Sequence, residues 1–201
     1  MTQSDANISE KRIVVGFLAD EDKIERAVDR LVESDFPLDR LSVLGNASSS
    51  GDDPLGVYYK TAGERIQGWG SLGAIWGGIF GAISGAAGLF VVPGAGALLA
   101  AGPLAEALVG AAAGAGLGGG VMAGGAALTN LAVAAHRMGI PSARLDEMHQ
   151  LLEKGNYLIL LIVHESEVAR WQEVLKRQAA DPLWVFPYLG VVDAVEKIAS
   201  D

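Results

Sequence analysis

The feature that most restricts how this chain can fold is a long uncharged stretch in its middle. No Asp, Glu, Lys or Arg occurs between Ile66 and Ala105, and after Glu106 the next charged residue is Arg137. Most of the 27 glycines lie in this stretch, together with Trp, Phe, Ile, Leu and Val. A flexible linker is polar, whereas this segment is apolar, so it has to be buried in lipid or against protein.

The two flanks carry nearly all the charge and have the composition of a globular domain. We therefore divide the chain into 1–65, the first half of an α/β domain plus a linker; 66–136, an apolar hairpin; and 137–201, the second half plus a C-terminal helix. The net charge of −9 argues against binding nucleic acid, which needs clustered Lys and Arg. The absence of cysteine excludes disulfides and thiolate chemistry.

Apolar periodicity predicts alternating strands and helices in the flanks. Strands are predicted at 12–18, 41–45, 156–163 and 183–188, and amphipathic helices at about 21–35, 142–154 and 165–178. Without the insert and the short helix after it, the order is the β-α-β-β-α-β of ferredoxin-like domains. The sequence thus predicts an α+β fold, a ferredoxin-like βαβ-(insert)-αβαβ domain interrupted by a long Gly/Ala-rich apolar helical hairpin.

Glycines recur at intervals of four residues in two series within the insert. Positions four apart stack on one face of a helix, and glycines there form a groove that lets another helix backbone approach closely. In this glycine zipper we expect helix-packing roles for Gly73, Gly77, Gly81, Gly85, Gly110, Gly114 and Gly118.

The insert is long enough for two membrane spans. Ile66–Val92 and Pro103–Ala135 could each cross ~30 Å of hydrocarbon as a helix. Lys60 and Arg65 precede the first span and Arg137 follows the second, which places both flanks on the cytoplasmic side. The sequence therefore predicts a transmembrane hairpin in the bacterial inner membrane, in contact with membrane lipid.

The tip of the hairpin favours a second interpretation. Residues 89–102 contain no charged residue and no Asn, Gln, Ser or Thr, although a loop that emerges into water usually carries polar groups. The alternative is a cytoplasmic homo-oligomer, a scaffold or tube whose hairpins form an apolar core. Such a core could hold lipid or quinone, or dock a partner enzyme complex.

Glu106 has two interpretations. An acid within a Gly/Ala helix is costly at a membrane centre, so a buried Glu106 should contact a proton, a cation or another subunit. Alternatively, Glu106 lies in the first turn after Pro103, where a carboxylate interacts favourably with the exposed N–H groups of a helix start.

The remaining candidates for chemistry are weak. Residues 114–119 match G-x-G-x-x-G, but helix-like rather than strand-like sequence precedes them. Asp146, His149 and Glu153 share one helix face and could bind a metal, although a solvated polar face explains them equally well. His136 and His164 are expected at the edge of the insert and in a turn. We expect no enzymatic activity, no cofactor and no metal.

Four features carry a resemblance: the polar strand-helix-strand start, the glycine series, Gly-Ile-Pro at 139–141 and Glu-Lys-Gly-Asn-Tyr-Leu-Ile-Leu-Leu-Ile-Val at 153–163. In these features the chain resembles a group of uncharacterised bacterial proteins. These are membrane-associated or general-stress proteins with a glycine-zipper insert. The resemblance covers residues 12–188 and implies a non-enzymatic, stress-linked, membrane-associated role. Glu106 and the C-terminal amphipathic helix have no counterpart in that pattern.

Overall fold

The computed structural model describes residues 10–46, 87–92, 96–117 and 128–190. Its strands are β1 (Lys11–Leu18), β2 (Leu41–Asn46), β3 (Ala87–Val92), β4 (Gly96–Ala101), β5 (Tyr157–His164) and β6 (Leu183–Pro187). Its helices are α1 (Glu21–Glu33), α2 (Pro103–Leu117), α3 (Leu128–Met138), α4 (Leu145–Glu153) and α5 (Val168–Arg177). Short 3₁₀ turns at Leu38–Arg40, Ser142–Arg144 and Glu165–Glu167 precede β2, α4 and α5.

The six strands form one antiparallel sheet in the order β3-β4-β2-β5-β1-β6. The central pair, β1 and β5, is in register over its full length, from Lys11 opposite His164 to Leu18 opposite Tyr157. The α+β class is therefore confirmed.

Helices cover both faces of the sheet, and for this reason the central strands are apolar at almost every position. Alternate residues of β1 point to opposite sides: Ile13, Val15 and Phe17 pack on one face, and Val14 and Leu18 on the other. Helices α1 and α5 bury their apolar sides on the Val14 face. Helices α2, α3 and α4 cover the Ile13 face. The result is a three-layer arrangement with two hydrophobic cores.

The structure differs from the predicted helical hairpin in the middle of the insert. Residues 87–92 and 96–101 form the β-hairpin of β3 and β4, which extends the sheet beyond β2. The apolar tip expected in a bilayer or an oligomer core is thus in part a pair of strands. Its absence of polar side chains fits burial, since Leu98, Ala100 and Ala101 belong to the two cores.

The second predicted span, Pro103–Ala135, also has a different role. It contains the two helices α2 and α3, which pack against each other and on the sheet. In the part of the chain that the structure describes, no helix combines the length and hydropathy that a membrane crossing requires. The prediction of a transmembrane helix is therefore wrong for these residues, because their apolar surface covers the sheet instead of facing lipid.

Several predictions fall outside the described residues. They are the linker at 47–56, the first span up to residue 86, the C-terminal helix after residue 190, and the glycines Gly73, Gly77, Gly81, Gly85 and Gly118.

Candidate assembly surface

One edge of the sheet is formed by β3, whose only neighbour among the described strands is β4. An edge strand presents a row of main-chain N–H and C=O groups that can pair with another chain. The sequence of β3 is Ala-Gly-Leu-Phe-Val-Val, without a charged residue or a proline. Its pairing with β4 is continuous from Ala87 opposite Ala101 to Val92 opposite Gly96, so no bulge interrupts the edge. The edge thus lacks the features that commonly prevent strand addition.

The opposite edge is different. Strand β6 spans five residues, follows Pro182 and ends at Pro187. Proline has no N–H to donate, so its presence limits how far a further strand can pair. Among the described residues, β6 is thus limited as an edge by its flanking prolines, whereas β3 pairs only with β4.

Helix α2 lies beside the β3 edge and contacts both β3 and β4. Its buried side consists of Leu104, Ala105, Ala107, Leu108 and Ala111. Its outward side includes Glu106, Val109 and Gly110, which are exposed. Val109, a large apolar side chain within the helix, is 53% exposed. We call the β3 edge together with Glu106, Val109 and Gly110 the insert surface.

Glu106 is exposed in the single chain, in the first turn of α2, where the helix dipole favours a carboxylate. The apolar side of α2 faces the sheet, and Glu106 lies on the other side. Burial of Glu106 against lipid or another subunit stays a prediction.

Gly110 also lies on the outward side of α2. A Cβ built there would meet no atom within 4 Å. No described residue of the chain thus packs at the position that a side chain on Gly110 would take. Gly114 lies one turn further along α2, and the packing roles of both glycines stay predictions.

The turn between β4 and α2 packs closely against β2. Gly102 has a φ of +84°, and a Cβ on it would lie 2.0 Å from the carbonyl oxygen of Leu41 in β2. Next to this contact, the backbone N–H of Leu104 donates a 3.0 Å hydrogen bond to the hydroxyl of Ser42. Ser42 is fully buried. A serine from β2 thus satisfies one of the free N–H groups at the start of α2.

Ser42→Ala is expected to destabilise the chain by about 1–3 kcal/mol, because the N–H of Leu104 would be buried without an acceptor. Ser166→Ala, at an exposed position in the turn before α5, should change stability by less than about 0.5 kcal/mol. Urea unfolding of both variants measures the difference. Equal stabilities for the two variants would show that the hydroxyl of Ser42 does not hold α2.

The polar face of α4 does not assemble into a metal site. Within the described ranges, no three His, Asp or Glu side chains are placed to bind one ion. Nε2 of His149 instead lies 3.1 Å from Oε1 of Glu153, and Nδ1 is buried without a hydrogen-bond partner.

The other weak candidates lie where the sequence suggested. His136 is exposed near the end of α3. The backbone N–H of His164 donates to Oε2 of Glu167 at 3.4 Å, in the turn that leads into α5. The glycine motif at 114–119 begins inside α2 rather than after a strand, which is not the context of a dinucleotide site.

Comparison with protein-family models, with curated proteins and with solved structures finds no match to this chain. The resemblance to general-stress proteins therefore stays a prediction.

Proposed function

We propose that this chain is a self-assembling scaffold protein whose copies join through the insert surface. The observations that carry the proposal are the uncharged β3 edge, which pairs only with β4 among the described residues, and the exposed Val109 on α2. Antiparallel pairing of β3 with β3 of a second copy would continue the sheet across a two-fold axis. Such an interface is self-complementary, as homo-oligomers require. That the chain is not an enzyme remains the sequence-based prediction.

Charge supports a second copy as the partner at this surface. Two molecules that each carry a net charge of −9 repel each other at most orientations. Glu106 is the only charged residue in segments 87–92 and 96–117. The insert surface is thus a place where two copies can meet with little repulsion.

We also propose that β1, α1, β2, β5, α5 and β6 form a ferredoxin-like unit with the insert between β2 and β5. The strand order β2-β5-β1-β6 supports this, and so does the location of α1 and α5 on one face of the sheet. In this arrangement β4 and β3 extend the unit at β2, and α2 and α3 cover its second face.

Val109→Lys is expected to dissociate the oligomer, because it places an ammonium group at the centre of the proposed contact. Val32→Lys is the matched control, since Val32 is a 43% exposed valine on α1, on the opposite side of the sheet. Each substitution reduces the net negative charge, which by itself would favour association. Sedimentation velocity across a concentration series without detergent measures the result.

If Val109→Lys and Val32→Lys sediment like the unmodified chain, α2 is not part of an interface. A monomer at every concentration of the unmodified chain would contradict the whole proposal.

Hydrogen exchange distinguishes a second copy from another occupant of the β3 edge. If a second copy pairs with β3, the amides of residues 87–92 become protected as protein concentration rises. If residues 47–86 of the same chain cover the edge, protection is equal at all concentrations. The second result would contradict pairing between copies.

A further inference from the structure

A small cavity lies between α3 and α4, on the face of the sheet that the insert covers. Its volume is about 160 Å³, and it is partly open to solvent. Leu131 and Met148, both buried, together with Ala132 and the half-buried Leu145, form an apolar floor. Engineered apolar cavities of ~150 Å³ accept benzene, so a single aromatic ring matches this volume.

The mouth of the cavity is polar and acidic. Ser142 and Asp146 line it and are exposed. In the parts of the chain that the structure describes, no Lys or Arg forms an ion pair with Asp146, whereas the neighbouring Glu147 is paired with Arg144. Oε1 of Glu153, one turn further along α4 than His149, lies 3.1 Å from Nε2 of that residue. An unpaired carboxylate beside an apolar floor is complementary to a cation that carries an apolar group.

The start of α4 lies close by, and its positive dipole end would favour an anion instead. That end corresponds to about half a positive charge, which the full negative charge of Asp146 in the first turn exceeds. Met148 also lines the cavity. Its thioether can contact a ligand ring, and thioethers and aromatic rings attract each other, which favours an aromatic ligand over an aliphatic one.

We propose that this cavity binds a small aromatic ammonium compound. The ring occupies the floor between Leu131, Leu145 and Met148, and the ammonium group lies at the carboxylate of Asp146. The Ser142 hydroxyl is available for an additional hydrogen bond at the mouth. The site lies on α3 and α4, away from the insert surface, and the proposal does not depend on self-assembly.

The test is a titration of the full chain with three probes, followed by amide chemical shifts in NMR at low salt. Phenethylamine is the cationic probe, 2-phenylethanol is its uncharged analogue, and 3-phenylpropionate carries the opposite charge. We expect saturable shifts confined to residues 131–149, with affinity falling in that order. Equal affinity for phenethylamine and 2-phenylethanol, tighter binding of 3-phenylpropionate, or no saturable shift would overturn the proposal.

Two variants locate the site. Asp146→Asn should weaken phenethylamine binding about two- to fivefold, as expected for a solvent-exposed ion pair, and leave 2-phenylethanol unaffected. Asp22→Asn, at an exposed acid in the first turn of α1, is the matched control and should have no effect. Ala132→Phe should fill the floor and abolish binding of both probes. Unchanged binding to Asp146→Asn would overturn the proposal even if Ala132→Phe does not fold.

Discussion

Gly102→Ala is expected to remove about 2–5 kcal/mol of folding stability, a large part of the roughly 5–15 kcal/mol typical of a domain. The left-handed φ of +84° costs a residue with a Cβ about 1–2 kcal/mol. In addition, the new methyl group would lie 2.0 Å from the carbonyl oxygen of Leu41, and only movement of one of the two main chains could relieve that clash. Such overpacking costs about 1–3 kcal/mol more.

Gly155→Ala is the matched control for this prediction. Gly155 has a nearly identical φ of +83°, but a Cβ there meets nothing within 4 Å. Its substitution should therefore cost only the conformational part, about 1–2 kcal/mol. Guanidinium unfolding of the two variants separates steric contact from backbone strain. If both lose the same stability, the close approach of Gly102 to β2 does not exist in the folded protein.

Gly139 provides an independent repeat of the same experiment. Its φ is +114°, and a Cβ would lie 2.0 Å from the carbonyl oxygen of Pro187 at the end of β6. Gly102 connects the start of α2 to the sheet, and Gly139 connects the end of α3 to it. Large losses at both positions would show that the α2–α3 pair is held to the sheet at its two ends.

The flanks could be predicted because their signals are local. The side chain of Asp20 accepts a hydrogen bond from the backbone N–H of Lys23 at 2.9 Å, three residues further along the chain at the start of α1. Hydrogen bonding to Lys23, above all through its side chain, lowers the pKa of Asp20. Strand β5 is apolar at consecutive positions, which is typical of a strand buried on both faces or at the centre of a sheet, and it lies between β2 and β1. Each of these features needs only a few neighbouring residues.

The insert could not be predicted in the same way, because its composition does not distinguish one apolar environment from another. Gly, Ala and Leu have similar patterns in a membrane helix, in a helix on a sheet and in a strand buried on both faces. The Pro93-Gly94 pair favours a chain reversal, but such a pair occurs between strands as well as between helices. The choice of helix over strand at 87–101 was therefore the point where the prediction failed.

The hydrogen bond that holds the start of α2 to β2 could not be predicted either, for a different reason. Ser42 is one hydroxyl in an apolar strand, and its partner Leu104 is 62 residues away along the chain. A capping serine normally lies directly before its helix, so local sequence gives no signal for this contact. The outward direction of Val109 likewise follows only from the sheet that α2 covers.

The second large effect is expected from Leu108→Asp. Leu108 is 2% exposed on the side of α2 that packs on the sheet, so the substitution buries a carboxylate without a partner. The chain should lose more than about 3 kcal/mol of stability or fail to fold, since an uncompensated buried charge costs several kcal/mol. Val109→Asp makes the same chemical change one residue further, at a position that is 53% exposed.

Denaturant unfolding at two protein concentrations tests this pair of variants. Because Val109 belongs to the proposed interface between copies, Val109→Asp should lower stability only where the unmodified chain is oligomeric, and by a concentration-dependent amount. Leu108→Asp should lower it equally at both concentrations, since the lost packing is within one molecule. A chain whose α2 was surrounded by lipid or by other copies on all sides would respond similarly to both substitutions, and that result would contradict the packing of α2 on the sheet.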